Sequence, residues 1–259
     1  MRLRGFACVL FVLAVGGVLA GAQPNWPGWR GGNGSGVSEE SALPDTWSPA
    51  SRIAWKTPIP GRAHSSPIVW GDRLFVTTAI EGGEIPNHTP LKHFIEGTEW
   101  RSPDATGGNR VHTFQVLSLD ATNGKVLWTR TAYEGAVYDD RHSKGSYAAP
   151  TPVTDGERVY AYFGTEGLYA YRMDGTPVWQ RQLGKVAGLS VGVSTSPVLF
   201  GKLLIVQADE DSGDSSFITA VDSATGKDVW RVARPKMPIS WATPLLTSAG
   251  GRPELITST

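Results

Sequence analysis

Short runs in which apolar and polar residues alternate recur along this chain, each closed by a turn built on Asp and Gly. The clearest runs Val221-Asp222-Ser223-Ala224-Thr225-Gly226-Lys227-Asp228-Val229-Trp230. Leu119 to Trp128 has the same shape, and Arg172 to Trp179 is one residue shorter. In all three the Gly lies four residues before the Trp, and Trp128, Trp179 and Trp230 fall 51 residues apart. Alternation of this kind is the mark of a half-buried strand. The Asp side chain can hydrogen-bond the backbone of the turn, and Gly supplies the positive φ that other residues adopt only at a cost. A flat Trp ring can then lie across a neighbouring unit where only a Gly peptide is thin enough. Gly124, Trp128, Gly175, Trp179, Gly226 and Trp230 are therefore expected to dock one repeat on the next, and the period predicts an all-β propeller of four-stranded blades.

The strands that open each repeat are equally regular. Ser65-Ser66-Pro67-Ile68-Val69 leads to Leu74–Thr78, Thr151-Pro152-Val153-Thr154 to Arg158–Phe163, Ser196-Pro197-Val198-Leu199 to Leu203–Val206, and Thr243-Pro244-Leu245-Leu246 to Glu254–Thr257. Pro is tolerated at the start of a strand, where its missing N–H matters least. Repeats are expected at about 65–128, 148–179 and 194–230, with a fourth over 241–259 that stops after its second strand. The sequence thus reads as an N-terminal fragment, three blades and part of a fourth, within a partial propeller over 53–259. Ile53-Ala54-Trp55-Lys56 resembles a closing strand, although Ser51 stands where Gly is expected.

Ahead of the propeller, residues 23–52 are rich in Gly, Ser, Pro and Asn, the composition of an irregular arm; Trp26, Trp29 and Trp47 within it are expected to pack along the blades. Arg2 and Arg4 followed by an apolar run from Phe6 to Ala20 and the small residues Ala20-Gly21-Ala22 mark 1–22 as a cleaved secretory signal. The run is too short for a membrane span, and no other transmembrane helix is expected. The single cysteine, Cys8, lies inside this segment. With 24 basic and 24 acidic side chains, charge gives no reason to expect nucleic acid as a partner. A periplasmic or secreted location follows.

The Ser-Pro-Val opening, a strand, and then Ala-x-Asp-x-x-Thr-Gly-Lys-x-x-Trp over Ala220–Trp230 together resemble the quinoprotein-type propeller repeat with its tryptophan-docking motif. The chain resembles, over about 53–259, the exported "PQQ-binding-like β-propeller repeat" proteins, and the resemblance implies an eight-bladed ring. The family holds pyrroloquinoline-quinone dehydrogenases and also non-catalytic members such as the outer-membrane-protein assembly lipoprotein. In the dehydrogenases the resemblance implies a vicinal Cys pair, a Ca²⁺ held by a Glu and an Asn, a catalytic Asp, and a Trp under the quinone. Here there is no Cys pair and no motif that places the Ca²⁺ ligands; Trp241 is the nearest candidate for the stacking Trp.

Candidate chemistry outside the repeats is sparse. About thirty residues between Ala79 and Val111 form an insertion expected to roof the channel mouth, since loops of that length are functional or disordered. His88, His93, Glu96 and Glu99 are metal-ligand types without the i, i+4 pairing of a zinc protease, and no metal site is expected. Asp209-Glu210-Asp211-Ser212-Gly213-Asp214 lacks EF-hand spacing and reads as a solvated turn. Arg62, His64, Arg141, His142 and Lys144 are expected near the channel mouth, where a basic rim suits an anionic ligand. No catalytic residue is assigned. The reading is an exported non-enzymatic binding or assembly platform that meets a protein or envelope component through the propeller faces, with no cofactor. The alternative is a PQQ- and Ca²⁺-dependent alcohol or sugar dehydrogenase whose remaining ligands lie beyond residue 259.

Overall fold

Four successive antiparallel sheets follow from the alternating runs. In this computed structural model residues 25–258, apart from Asn33, Glu39 and Ala42, are described; the expected signal segment and Cys8 lie outside them. The first sheet contains β1 (Ile68–Trp70), β2 (Arg73–Glu84), β6 (Arg110–Asp120) and β7 (Val126–Ala136), hydrogen-bonded in that order. Between β2 and β6 the chain makes the hairpin β3 (His93–Ile95) and β4 (Thr98–Trp100), then β5 (Ala105–Thr106), which pairs with β8 (Arg141–His142) beyond the blade. The second sheet holds β9 (Val153–Thr154), β10 (Arg158–Tyr162), β11 (Leu168–Arg172) and β12 (Pro177–Arg181), with a 3-10 turn at Gly164–Glu166. The third holds β13 (Val198–Phe200), β14 (Leu203–Ala208), β15 (Phe217–Asp222) and β16 (Asp228–Ala233), and the fourth is the pair β17 (Leu245–Ala249) and β18 (Arg252–Ile256). Innermost strands touch in sequence, β1 to β9, β9 to β13 and β13 to β17. This is the all-β, partial propeller expected.

Two boundaries differ from the sequence reading. Each outer strand continues past its Trp, because Trp128, Trp179 and Trp230 pair with Ser118, Ala170 and Ala220 inside the ladder, with a register shift just beyond each of those partners. The insertion is partly strand: Glu81 pairs with His112 and Glu84 with Arg110, so β2 and β6 extend into it.

The core lies between blades. Along β10 the period of two sends Val159 and Ala161, with Phe163 just beyond, toward Ile68, Phe75, Phe114 and Trp128 of the first blade. The alternate residues Tyr160 and Tyr162 face Leu204, Val206 and Phe217 of the third. Phe114 and Phe163 stack with ring centroids 5.1 Å apart. A strand buried on both faces loses its polar alternation, hence the run Val-Tyr-Ala-Tyr-Phe.

Blade junctions are closed by indoles. Trp55 covers Gly124, Trp128 covers Gly175 and Trp179 covers Gly226, so tightly that an added Cβ would come within 2.3, 2.7 and 2.7 Å of the respective rings. Each indole N–H donates to a carbonyl of the same turn: Trp55 to Ala121 (3.0 Å), Trp128 to Met173 (2.9 Å), Trp179 to Ser223 (3.0 Å). Two residues after each Trp, Thr57 Oγ1, Arg130 Nε and Arg181 Nη1 donate to the carbonyl of the covered Gly at 2.6, 2.7 and 2.8 Å. The receiving turn is shaped by its Asp, whose Oδ1 accepts a backbone N–H from Thr122, Thr176 or Thr225. Hydrogen bonds from those threonines hold Asp120, Asp174 and Asp222 below the usual carboxylate range. Trp230 sits half-buried at the junction with Leu246 and Leu255 of the fourth sheet.

A second tie runs along the inner rim. Ser66 N–H donates to Thr151 Oγ1 (3.0 Å), Thr151 N–H to Ser196 Oγ (2.9 Å), and Ser196 N–H to Thr243 Oγ1 (3.0 Å). Thr151 and Ser196, each the residue before a Pro, thus spend their N–H on the next blade and offer their hydroxyl to the previous one. The arm lies on the same rim: Trp26 exchanges hydrogen bonds with Val69 (2.8 and 2.9 Å), and Pro27 O accepts from Thr154 N–H (2.8 Å). Trp47, by contrast, is 67% exposed; the polar segment around it supplies no surface to cover the ring.

Gly175 (φ +85°) lies beneath Trp128, whereas Gly201 (φ +58°) has nothing within 4 Å of an added Cβ. Gly201→Ala should cost about 1 kcal/mol, the backbone penalty alone, and Gly175→Ala about 1–3 kcal/mol more from overpacking. Urea denaturation midpoints of the two variants check this; equal losses would remove the docking contact from the account.

Candidate functional site

The connections at one end of the blades interlock around a buried histidine. His93 opens β3, and the tight turn at Glu96-Gly97 (φ 51° and 78°) folds the hairpin back so that His93 points inward while Phe94 and Ile95 stay exposed. Its Nε2 meets Asp139 Oδ1 at 3.0 Å and its Nδ1 meets Asp211 Oδ2. Asp139 belongs to the connection between the first two blades, and Asp211 to the β14–β15 loop of the third. Burial alone would lower the His93 pKa, but hydrogen bonds and charge attraction from Asp139 and Asp211 outweigh it, raising it from 6.5 to about 9. His93 is an imidazolium held between two carboxylates.

Neighbouring charges are paired in the same way. Asp139 Oδ2 accepts from Gly188 N–H (2.7 Å). Asp140 takes Arg101 Nη2 (2.7 Å) and Gly108 N–H (2.9 Å). Asp209 takes Arg234 Nε (2.8 Å) and Gln207 Nε2 (2.6 Å), and Glu210 accepts from Ser212 Oγ (2.6 Å) and Ser215 N–H (2.9 Å). Asp209 and Glu210 are buried, so the segment expected as a solvated turn is one only at its far end, where Ser212 and Asp214 are exposed; its first half is an acidic node beneath the hairpin and the 182–193 connection. That connection turns sharply at Leu189-Ser190, both at positive φ (51° and 56°), and its Ala187 O accepts from Asp211 N–H (3.1 Å).

Beside Asp139 lies Glu166, buried at 8% exposure. One carboxyl oxygen accepts Tyr138 N–H (2.7 Å), and the side chain borders a cavity of about 30 Å³ shared with Asp139, Asp140 and Tyr147. Burial raises its pKa from 4.5 to about 7, with a smaller push from Asp139. Tyr147 donates to Asp139 O (2.9 Å), and burial drives its phenol pKa far upward. The cavity has room for a water, not for a substrate.

The five residues expected at the channel mouth, and Trp241 with them, separate. Arg62 and Arg141 border one opening with Glu81 and His112. There Arg62 donates to Ser143 O (2.6 Å), and buried Arg141 pairs with Glu81 (3.1 Å) and reaches the carbonyls of His142, Ser143 and Gly145. His142 Nδ1 accepts Lys144 N–H (3.0 Å) and its Nε2 lies 3.5 Å from Asp104; Lys144 is exposed. His64 and Trp241 border a different opening together with Arg30. Of the metal-ligand types in the insertion, His93 faces inward, Glu99 pairs with Lys92 (2.8 Å) and Glu96 occupies the turn. Among the described residues no three His, Cys, Asp or Glu side chains converge as a metal site. No described helix is long and apolar enough to cross a membrane.

A family model described as "Outer membrane protein assembly factor BamB" matches residues 97–240. Among solved structures, the quinohemoprotein alcohol dehydrogenase of Comamonas testosteroni is similar at 15% identity, with 81% of this chain and 27% of that chain covered and a TM-score of 0.47. BamB from Moraxella catarrhalis is similar at 15% identity, 67% and 49% coverage and a TM-score of 0.33. The computationally designed Ika4 protein is similar at 10% identity, 66% and 94% coverage and a TM-score of 0.32. The chain thus spans little more than a quarter of the dehydrogenase. No curated protein matches it significantly.

Both buried titrations carry the same sign. A raised pKa in the folded state means that the native protein holds a proton the unfolded chain has released, so stability falls as pH rises. The Glu166 contribution is lost between about 4.5 and 7, and that of His93 between 6.5 and about 9. Each amounts to roughly 3 kcal/mol. Glu166→Gln should leave stability at pH 5 nearly unchanged and raise it at pH 8; His93→Gln should abolish the decline between pH 7 and 9.5. Denaturant titrations across pH test both, and parallel profiles for wild type and variants would contradict the assignment.

Proposed function

Because the chain belongs to the family described as outer membrane protein assembly factor BamB, we propose that it is an exported, non-enzymatic platform that binds a protein or envelope component through the loops at the ends of its blades. The observation that carries this reading is the pairing of the buried charges. His93, Asp139, Asp140, Arg141, Asp209 and Asp211 each meet a partner within the protein. Glu166, the one buried carboxyl among the described residues whose pKa is raised toward neutrality, faces a cavity of about 30 Å³. Groups tied to one another hold loops in place rather than move protons for a substrate. The hairpin they hold presents the exposed pair Phe94 and Ile95 on the strand that leads into its turn, and adjacent exposed apolar groups suit a docking surface.

The competing reading is a dehydrogenase using pyrroloquinoline quinone. Calorimetric and absorbance titration of the exported gene product with the quinone and Ca²⁺ separates the two. The platform reading expects no binding at high micromolar quinone; stoichiometric, Ca²⁺-dependent binding would overturn it.

A further inference from the structure

The three docking turns differ in the residue just ahead of the covered glycine. The first has Asn123, whereas the second has Asp174 and the third Thr225. An asparagine before glycine exposes its side-chain amide carbon to attack by the next backbone nitrogen, because glycine has no Cβ to obstruct the approach. Asn123 is exposed and Gly124 is buried. Asn123 Oδ1 accepts Lys125 N–H (2.9 Å) and its Nδ2 donates to Asp120 Oδ2 (3.0 Å), so the amide is folded forward over the turn.

What the fold withholds is the nucleophile. Gly124 N–H donates to Asp120 O (2.8 Å). Attack requires that bond to break, the nitrogen to give up its proton and the peptide to turn. The junction opposes each of these movements. Gly124 lies at φ +74° beneath Trp55, with a ring carbon 2.3 Å from where a Cβ would stand. Trp55 Nε1 donates to Ala121 O (3.0 Å), and Thr57 Oγ1 donates to Gly124 O (2.6 Å). Reaction therefore awaits a local opening in which the segment carrying Trp55 and Thr57 lifts off the turn.

We infer that Asn123 is a site of spontaneous deamidation gated by the Trp55 junction. The Gly124 nitrogen, once it has lost its proton, bonds to Asn123 Cγ; the Cγ–Nδ2 bond breaks, ammonia leaves, and a succinimide closes. Water then opens one of the two ring carbonyls, giving aspartate or isoaspartate. Either product replaces the Asn123–Asp120 hydrogen bond with two like charges. Isoaspartate also routes the main chain through Cβ and Cγ, one carbon longer ahead of Gly124, so the peptide no longer fits beneath the indole. The gate works once: a junction that opens and converts does not dock again. This goes beyond the platform reading and does not depend on what the platform meets.

The test is incubation of the full chain at mildly alkaline pH, with the tryptic peptide Val111–Lys125 followed by mass spectrometry that separates asparagine, aspartate and isoaspartate. The folded wild type should convert at least about tenfold more slowly than the guanidinium-unfolded chain, and Trp55→Ala at least about tenfold faster than wild type. Thr57→Val, which removes only the bond to Gly124 O, should fall between them. Trp179→Ala, which opens the junction over Gly226 instead, should stay within about twofold of wild type. Wild-type protein carrying isoaspartate should then unfold at a lower urea midpoint than the unconverted protein. Folded wild type converting as fast as the unfolded chain, Trp55→Ala no faster than wild type, or Trp179→Ala as fast as Trp55→Ala would each overturn the gate. An unchanged urea midpoint would overturn its one-way action.

Discussion

The thickness of a glycine peptide sets the spacing of the blades. An indole can lie on a backbone turn only where no Cβ intervenes, and at Gly124, Gly175 and Gly226 a Cβ would fall inside the ring's van der Waals surface. The contact fixes three quantities together. Burial of the indole face favours association, the N–H bond to a turn carbonyl fixes its orientation, and the side chain two residues on binds the Gly carbonyl so that the covered peptide keeps a partner. The two ends of each motif serve opposite neighbours: Gly175 receives Trp128 from the blade before, while Trp179 covers Gly226 of the blade after. Together with the hydroxyl rim, which ties Ser66 to Thr151 to Ser196 to Thr243, each junction is held at its outer and its inner margin.

A frame held at both margins can carry buried charge in its connections. The His93 imidazolium draws three segments together, and charges so enclosed are stable only when paired. The cost shows at Glu166, whose desolvated carboxyl is driven toward neutrality beside Asp139. It shows again at Leu189-Ser190, two residues without glycine's freedom held at positive φ. These features lie on loops rather than in the blades.

The blades were legible because their chemistry is local and repeated. Asp222, Gly226 and Trp230 fall within one short run, and the same run recurs at an equal interval. Trp55 was harder to read, because the Gly it covers, Gly124, lies in the following blade and no Gly precedes it in its own segment. The Ser/Thr before each Pro was visible as a signature, yet its lateral hydrogen bond needs two blades side by side. The loop node left no local trace: His93 lies 118 residues from Asp211 and 46 from Asp139. The acidic run at Asp209–Asp214 resembled a solvated turn because nothing nearby reveals what folds over it.

A double-mutant cycle at Trp179 and Gly226 tests the docking contact most directly. If the indole is what forbids a side chain at Gly226, Gly226→Ala should cost about 3 kcal/mol or more in the wild-type background and only about 1 kcal/mol once Trp179 is Ala, leaving a coupling of about 2 kcal/mol. Additive losses, with no coupling between the two positions, would mean that the blades are held by something other than tryptophan on glycine.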